Sequence, residues 1–77
     1  MKVVLLLQGH ASEFFPGGRN RLEVELEAPS SINQILDKLG VSRSLVMYAF
    51  SEGVRRDKDY VPKDGEEVLL VSPPSGG

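Results

Sequence analysis

The chain has 77 residues, 9 Lys plus Arg against 11 Asp plus Glu, a net charge of −2 and no cysteine. A chain of this length makes one domain that buries only about 60% of its unfolded surface, and its balance of charges favours neither nucleic acid nor an anionic membrane. Disulfides, thiolate metal sites and a cysteine nucleophile are excluded among these residues, in keeping with a cytoplasmic protein.

Val3-Val4-Leu5-Leu6-Leu7, between Lys2 and Gln8-Gly9, predicts a first strand over residues 2–8, apolar on both faces and so central in a sheet. The run is too short to cross a bilayer and no small-residue cleavage site follows it, so neither a signal peptide nor a membrane segment is expected. Residues 9–21 hold Phe14-Phe15-Pro16-Gly17-Gly18 and are too long for a tight hairpin, which predicts a loop with room for one helical turn at Ala11 to Phe15. Residues 22–27 alternate without a break. They predict a second strand with Leu22, Val24 and Leu26 on the core side and a stripe of three glutamates that discourages edge-to-edge pairing on the other.

After Pro29, the pair Ser30-Ser31 offers a helix N-cap. Ile32, Ile35, Leu36 and Leu39 follow at i, i+3, i+4, i+7 before Gly40 ends the run. A one-sided stripe of this kind must lie across a sheet. Leu45 to Phe50 predicts a third strand, ended by Ser51-Glu52-Gly53, with a short return at Val54 to Arg56. Asp57 to Lys63 is irregular. Lys63-Asp64-Gly65 turns into a last strand over Glu66 to Ser72, with Val68 and Leu70 on one face and Leu69 and Val71 on the other. The expected order is β-β-α-β-(β)-β, with the first and last strands central.

Behind that strand stands Pro73-Pro74-Ser75-Gly76-Gly77. The prolines fix φ and remove amide donors, which stops the strand and pushes the segment into an extended form. Gly-Gly lacks Cβ atoms and can thread a narrow channel to present a terminal carboxylate. From Ser72 to Gly77 the reach is up to ~20 Å at ~3.3 to 3.6 Å per residue. The expected division is a body over 1–72 and an extended flexible tail over 73–77. The plain alternative is a cloning scar or a frayed end, although a Pro-Pro lead-in is not typical linker chemistry.

Few residues elsewhere suggest chemistry. His10 is the single histidine, without a Ser or Asp partner at a recognised spacing and unable to hold a metal alone, so it reads as a surface or capping residue. Gly17-Gly18-Arg19 lacks the spacing, lysine and hydroxyl of a phosphate loop. Arg55-Arg56 are followed at once by Asp57 and Asp59, and all four read as a solvated turn rather than a phosphate patch or a carboxylate pair. No catalytic residue and no bound metal or cofactor is expected.

The element order, one helix crossing a mixed sheet of four to five strands, resembles the α+β β-grasp fold of ubiquitin. Two stretches resemble the ThiS/MoaD family, the small sulfur carriers of the thiamine and molybdopterin pathways. Lys63-Asp64-Gly65-Glu66-Glu67-Val68-Leu69-Leu70 is similar to the family's Asp-Gly-Asp-Glu-Val turn and final strand. Pro73-Pro74-Ser75-Gly76-Gly77 is similar to its Pro-Pro and Gly-Gly end. The chain departs from the family in two places: the tail is shorter than is usual for molybdopterin-type members, and Ala49-Phe50-Ser51-Glu52-Gly53 replaces a common Asn-Gly turn. The long stretch over 9–21 tilts the resemblance towards the molybdopterin-type branch.

The resemblance implies that a ubiquitin-activating-type enzyme uses ATP to adenylate Gly77, and that a persulfide sulfur then converts it to a thiocarboxylate. Pro73, Pro74, Ser75 and Gly76 would thread the activating site. The sulfur would pass to a molybdopterin synthase large subunit or a thiazole synthase, making the chain a co-substrate and not an enzyme. Two other functions stay open: a protein modifier joined to lysine through the same adenylation, and a noncovalent β-grasp binding module that needs no free C-terminus. The helix covers one face of the sheet only. The other is either a docking patch, with Phe50, Leu69 and Val71 as candidates, or is covered by the loop carrying Phe14-Phe15.

Overall fold

The computed structural model describes residues 1–73. Five strands, β1 (Lys2–Gln8), β2 (Arg21–Glu25), β3 (Tyr48–Ser51), β4 (Val54–Arg56) and β5 (Glu67–Val71), form one sheet in the order β2-β1-β5-β3-β4. The apolar runs of β1 and β5 take inner positions as expected, and they pair in parallel with Leu5 opposite Val68. The other pairings are antiparallel. The glutamate-striped β2 and the three-residue β4 are the edges, where charge and shortness both oppose pairing with another chain.

The helix α1 (Ile32–Leu39) begins at a capping box: Ser31 Oγ accepts from the Gln34 amide, and the Gln34 side chain accepts from the Ser31 amide at 2.8 Å. Its next orphan amides, on Ile32 and Asn33, donate to the Tyr60 and Lys58 carbonyls at 3.0 and 2.9 Å, so the 57–63 stretch holds the start of the helix. Gly40, at φ +74°, closes the other end. Ile32, Ile35 and Leu36 pack with Val3, Leu5, Leu7, Val24, Ala49, Val68 and Leu70 into a single core on one side of the sheet.

Three expectations are corrected, besides the last strand, which runs over Glu67–Val71 rather than 66–72. The second strand runs over Arg21–Glu25, not 22–27, although Leu26 is still buried and its amide donates to the Met1 carbonyl. The third strand starts at Tyr48, because Arg43–Leu45 is a 3-10 turn held to the helix by the Arg43–Asp37 ion pair at 2.6 Å. In 9–21 the chain makes a 3-10 segment at Gly9–Phe14 and then a glycine turn at Pro16–Gly18, with Gly17 and Gly18 at φ 84° and 61°, and Ala11 and Phe15 enter the helix-side core while Phe14 stays 42% exposed.

The β3–β4 hairpin closes with Ser51 opposite Val54, leaving a two-residue loop at Glu52-Gly53. Both loop residues have positive φ, 54° and 74°, as a type I′ turn requires. Glutamate therefore occupies the left-handed position at which asparagine would be less strained.

Candidate functional site

Alternation along the strands sets one face of the sheet against the helix and leaves the other without a covering element among the described residues. The register assembles that open face in rows. Arg21, Leu6, Leu69, Phe50 and Arg55 stand side by side across all five strands. The next row towards the tail holds Gln8, Val71 and Tyr48, and the next row away from it holds Glu23, Val4 and Glu67. Leu6, Tyr48, Phe50, Leu69 and Val71 are all half-buried. Their half of the face is apolar; the half remote from the tail is charged.

Phe50, Leu69 and Val71, picked out from sequence, thus do share a surface. Phe15 belongs to the opposite core and Phe14 is exposed, so neither ring is buried against this surface. Leu6 and Tyr48 join the patch, and sequence reading missed both. Leu6 was legible, because a fully apolar central strand must put every second residue on the far face. The Tyr48 and Phe50 rings meet at 6.4 Å between centroids, tilted by 47°, and the Arg55 guanidinium lies 4.3 Å from the Tyr48 centroid.

β5 runs through this apolar half into Ser72 and Pro73. These two residues, with Gln8, Gly9, His10, Met47, Tyr48 and Val71, line a groove of about 430 Å³ at the root of the tail. His10 is exposed there, 3.8 Å from Glu13. Of the tail residues named from sequence, Pro73 is half-buried in this groove; Pro74, Ser75, Gly76 and Gly77 lie outside the described residues.

At the charged end, Arg21 and Lys2 contact Glu23 at 2.8 and 3.4 Å and hold its carboxyl below the ordinary value. A second concavity of about 640 Å³ opens here between Lys2, Arg21, Lys63, Glu52 and Asp64. The Asp64-Gly65 turn is pinned to β1, with the Lys2 amide donating to Asp64 at 2.8 Å and the Gly65 amide to the Lys2 carbonyl at 2.6 Å.

Beside the turn, the Glu66 carboxylate accepts from the Lys63 amide at 2.8 Å, from the Tyr60 hydroxyl at 2.8 and 3.0 Å to its two oxygens, and from the Ser51 hydroxyl. Ser51 is 2% exposed, a polar side chain in the core row of β3 that needs such a partner. Partial burial alone would raise the Glu66 carboxyl. The Lys63 amide, the two hydroxyls and the Arg56 charge outweigh it and hold Glu66 below its usual value. The Tyr60 hydroxyl is raised, first by its bond to Glu66 and then by burial.

Among the described residues no three His, Cys, Asp or Glu side chains gather as a metal site, and no helix is long and apolar enough to cross a membrane. The open face thus carries an apolar patch that is continuous with the groove at Ser72 and Pro73, where the Pro-Pro, Gly-Gly segment of the sequence begins. No protein-family model matches the chain, and no curated protein matches it. Among solved structures it is similar to the crystal structure of SAMP1 from Haloferax volcanii, at 15% identity and a TM-score of 0.68, over 100% of both chains. At that identity the likeness speaks for architecture alone. With its mixed five-stranded sheet crossed by one helix, the chain has the ubiquitin-like β-grasp fold.

Proposed function

We propose that this protein is a ubiquitin-like sulfur carrier. A ubiquitin-activating-type enzyme adenylates the Gly77 carboxylate, and sulfur then rides at Gly77 as a thiocarboxylate. The observation that carries this reading is the path of β5: a central strand of a β-grasp body leads past an open apolar patch into Ser72-Pro73, with Gly76-Gly77 only a few residues beyond.

A carboxylate is a poor electrophile. One of its oxygens attacks the α-phosphorus of ATP and pyrophosphate leaves, so that AMP becomes the leaving group at the acyl carbon. The outer sulfur of a partner's persulfide displaces AMP, and a thiol cleaves the resulting S–S bond, leaving the thiocarboxylate and a disulfide between the two thiols. ATP belongs to the partner's site; the chain is a co-substrate whose tail, Pro73 to Gly76, threads the channel. Phe50, Leu69 and Val71 dock the activating enzyme. The sulfur goes to a synthase of cofactor biosynthesis. The long segment over 9–21 favours a molybdopterin-type acceptor over a thiazole synthase.

Intact-mass analysis of the protein recovered from its native host tests the proposal. Replacement of one oxygen by sulfur at Gly77 is expected. A Gly77 carbonyl found instead in isopeptide linkage to lysine identifies a protein modifier, and a mature chain that continues past Gly77 sinks both readings.

A further inference from the structure

The open face carries two arginines that bracket its apolar strip. Arg21 on β2 and Arg55 on β4 stand at opposite ends of the row whose middle is Leu6, Leu69 and Phe50. Four strand spacings separate them, roughly 19 Å at about 4.8 Å each. Among the described residues no carboxylate lies within ion-pair distance of Arg55, which is held over the Tyr48 ring instead. A guanidinium stacked on an aromatic face keeps its edge donors free in a fixed plane. Arg21 gives one nitrogen to Glu23 and keeps others.

On this face the carboxylates gather away from the tail: Glu23 and Glu67 sit one row further along, and Glu25 further still. The row of Leu6, Leu69 and Phe50 is therefore apolar in the centre with a guanidinium at each end, that of Arg21 shared with Glu23 and that of Arg55 without an ion-pair partner among the described residues, on a chain whose net charge is −2. A partner that takes the tail meets the apolar half of the face at the tail's root, because Val71 belongs to the patch and Val71, Ser72 and Pro73 line the adjoining groove.

Resting on the adenylation reading above, we propose that Arg21 and Arg55 are specificity-determining residues for the activating enzyme. That enzyme presents an apolar strip flanked by two carboxylates, roughly 20 Å apart, one to each arginine. The apolar strip supplies adhesion. The two flanking charges fix the direction across the strands and reject partners with a basic rim.

Rim charges act mainly on the association rate and its salt dependence, so these are what to measure. The full chain and the purified activating enzyme of the same host are mixed in stopped flow at low salt and at 0.5 M salt. Arg21→Glu and Arg55→Glu are each expected to slow association at low salt by about tenfold and to flatten its salt dependence. Arg55→Lys, which keeps the charge but not the planar stack, is expected to lose less than Arg55→Glu. Lys38→Glu makes the same change in net charge on the helix side of the molecule and is expected to change the rate by less than about twofold. Thermal melting of each variant verifies that the fold is kept.

A loss below about threefold in either arginine variant overturns the proposal, as does an equal loss in Lys38→Glu or any acceleration. Pyrophosphate exchange at saturating chain is read in parallel. Exchange that persists while reversal has no effect refutes the arginine assignment alone. Absence of exchange with wild type refutes the adenylation reading, and absence of any association refutes both.

Discussion

Glu66→Gln tests the network that ties the last turn to the β3–β4 hairpin. In wild type one carboxylate satisfies three donors, from Lys63, Tyr60 and Ser51, with Arg56 close enough to contribute. Glutamine keeps one carbonyl oxygen but turns an NH₂ towards the two hydroxyls, and it removes the negative charge. The hydroxyls can rotate to accept, so the net loss is near that of one charge-assisted hydrogen bond, about 1.5–3 kcal/mol. At about 4–8 °C per kcal/mol for a domain of this size, Tm should fall by roughly 6–24 °C. The pH dependence carries a definite sign. A depressed carboxyl stabilises the fold fully above its unfolded value, near 4.5, and the stability is lost as pH falls through the lower folded value. The gap between wild type and Glu66→Gln should therefore be full at pH 7 and close in acid. At the alkaline end the raised Tyr60 hydroxyl contributes stability below pH 10.0 that is lost as pH climbs through its folded value, and this loss should be smaller without the Glu66 charge. Urea unfolding at fixed m, repeated across pH, measures both limbs. A difference below about 0.5 kcal/mol at pH 7, or one equally large in acid, refutes the network as described.

Leu36→Ala, at a fully buried position of the helix stripe, should cost about 2–5 kcal/mol in urea unfolding, against a total of roughly 4–12 kcal/mol for this chain length; less than about 1 would contradict the core. Phe50→Asp should keep stability within about 1 kcal/mol of wild type while weakening the complex with the activating enzyme roughly tenfold or more, and a variant that unfolds would make Phe50 a core residue. Glu52→Asn should stabilise by about 0.5–1 kcal/mol by relieving the left-handed glutamate of the hairpin, which a lower Tm would disprove. Gly76→Val should cut ATP–pyrophosphate exchange by roughly tenfold or more, about 1.4 kcal/mol of lost access to the reaction; unchanged exchange would mean the tail is not threaded.

The parts of this fold legible in the sequence are those in which local signals agree. The Val3–Leu7 run, the capped stripe from Ser31 to Gly40, and the Asp64-Gly65 turn before an apolar strand each specify an element without outside help. The start of β3 was misread for an identifiable reason. Leu45-Val46-Met47-Tyr48 looks like continuous strand, but a strand would put Val46, Tyr48 and Phe50 on one face. Val46 lies instead in the helix-side core while Tyr48 and Phe50 occupy the open face, so the backbone must break parity between 46 and 48. Two backbone carbonyls at that break, on Arg43 and Val46, accept from Lys58 Nζ at 2.8 Å each, a contact across twelve to fifteen residues that no local pattern announces. The same holds for Ser51, Tyr60 and Glu66: each looks ordinary in its own window, and only tertiary pairing brings them together. The open face was half legible, because alternation names Phe50, Leu69 and Val71, whereas the placing of Arg21 and Arg55 at the ends of one row depends on strand order and register.

With one side of the sheet left without a covering element among the described residues, the side chains that complete the sheet are also the ones any second layer would touch. Leu6, Leu69 and Phe50 keep part of their apolar area in water while the chain is alone. Any layer laid over them completes a three-layer body and stabilises the native state in proportion to the logarithm of that layer's concentration. Free chain in excess of its partners opens more often than bound chain and meets proteases in that state. For a molecule built this way, occupancy of the open face and resistance to opening rise together.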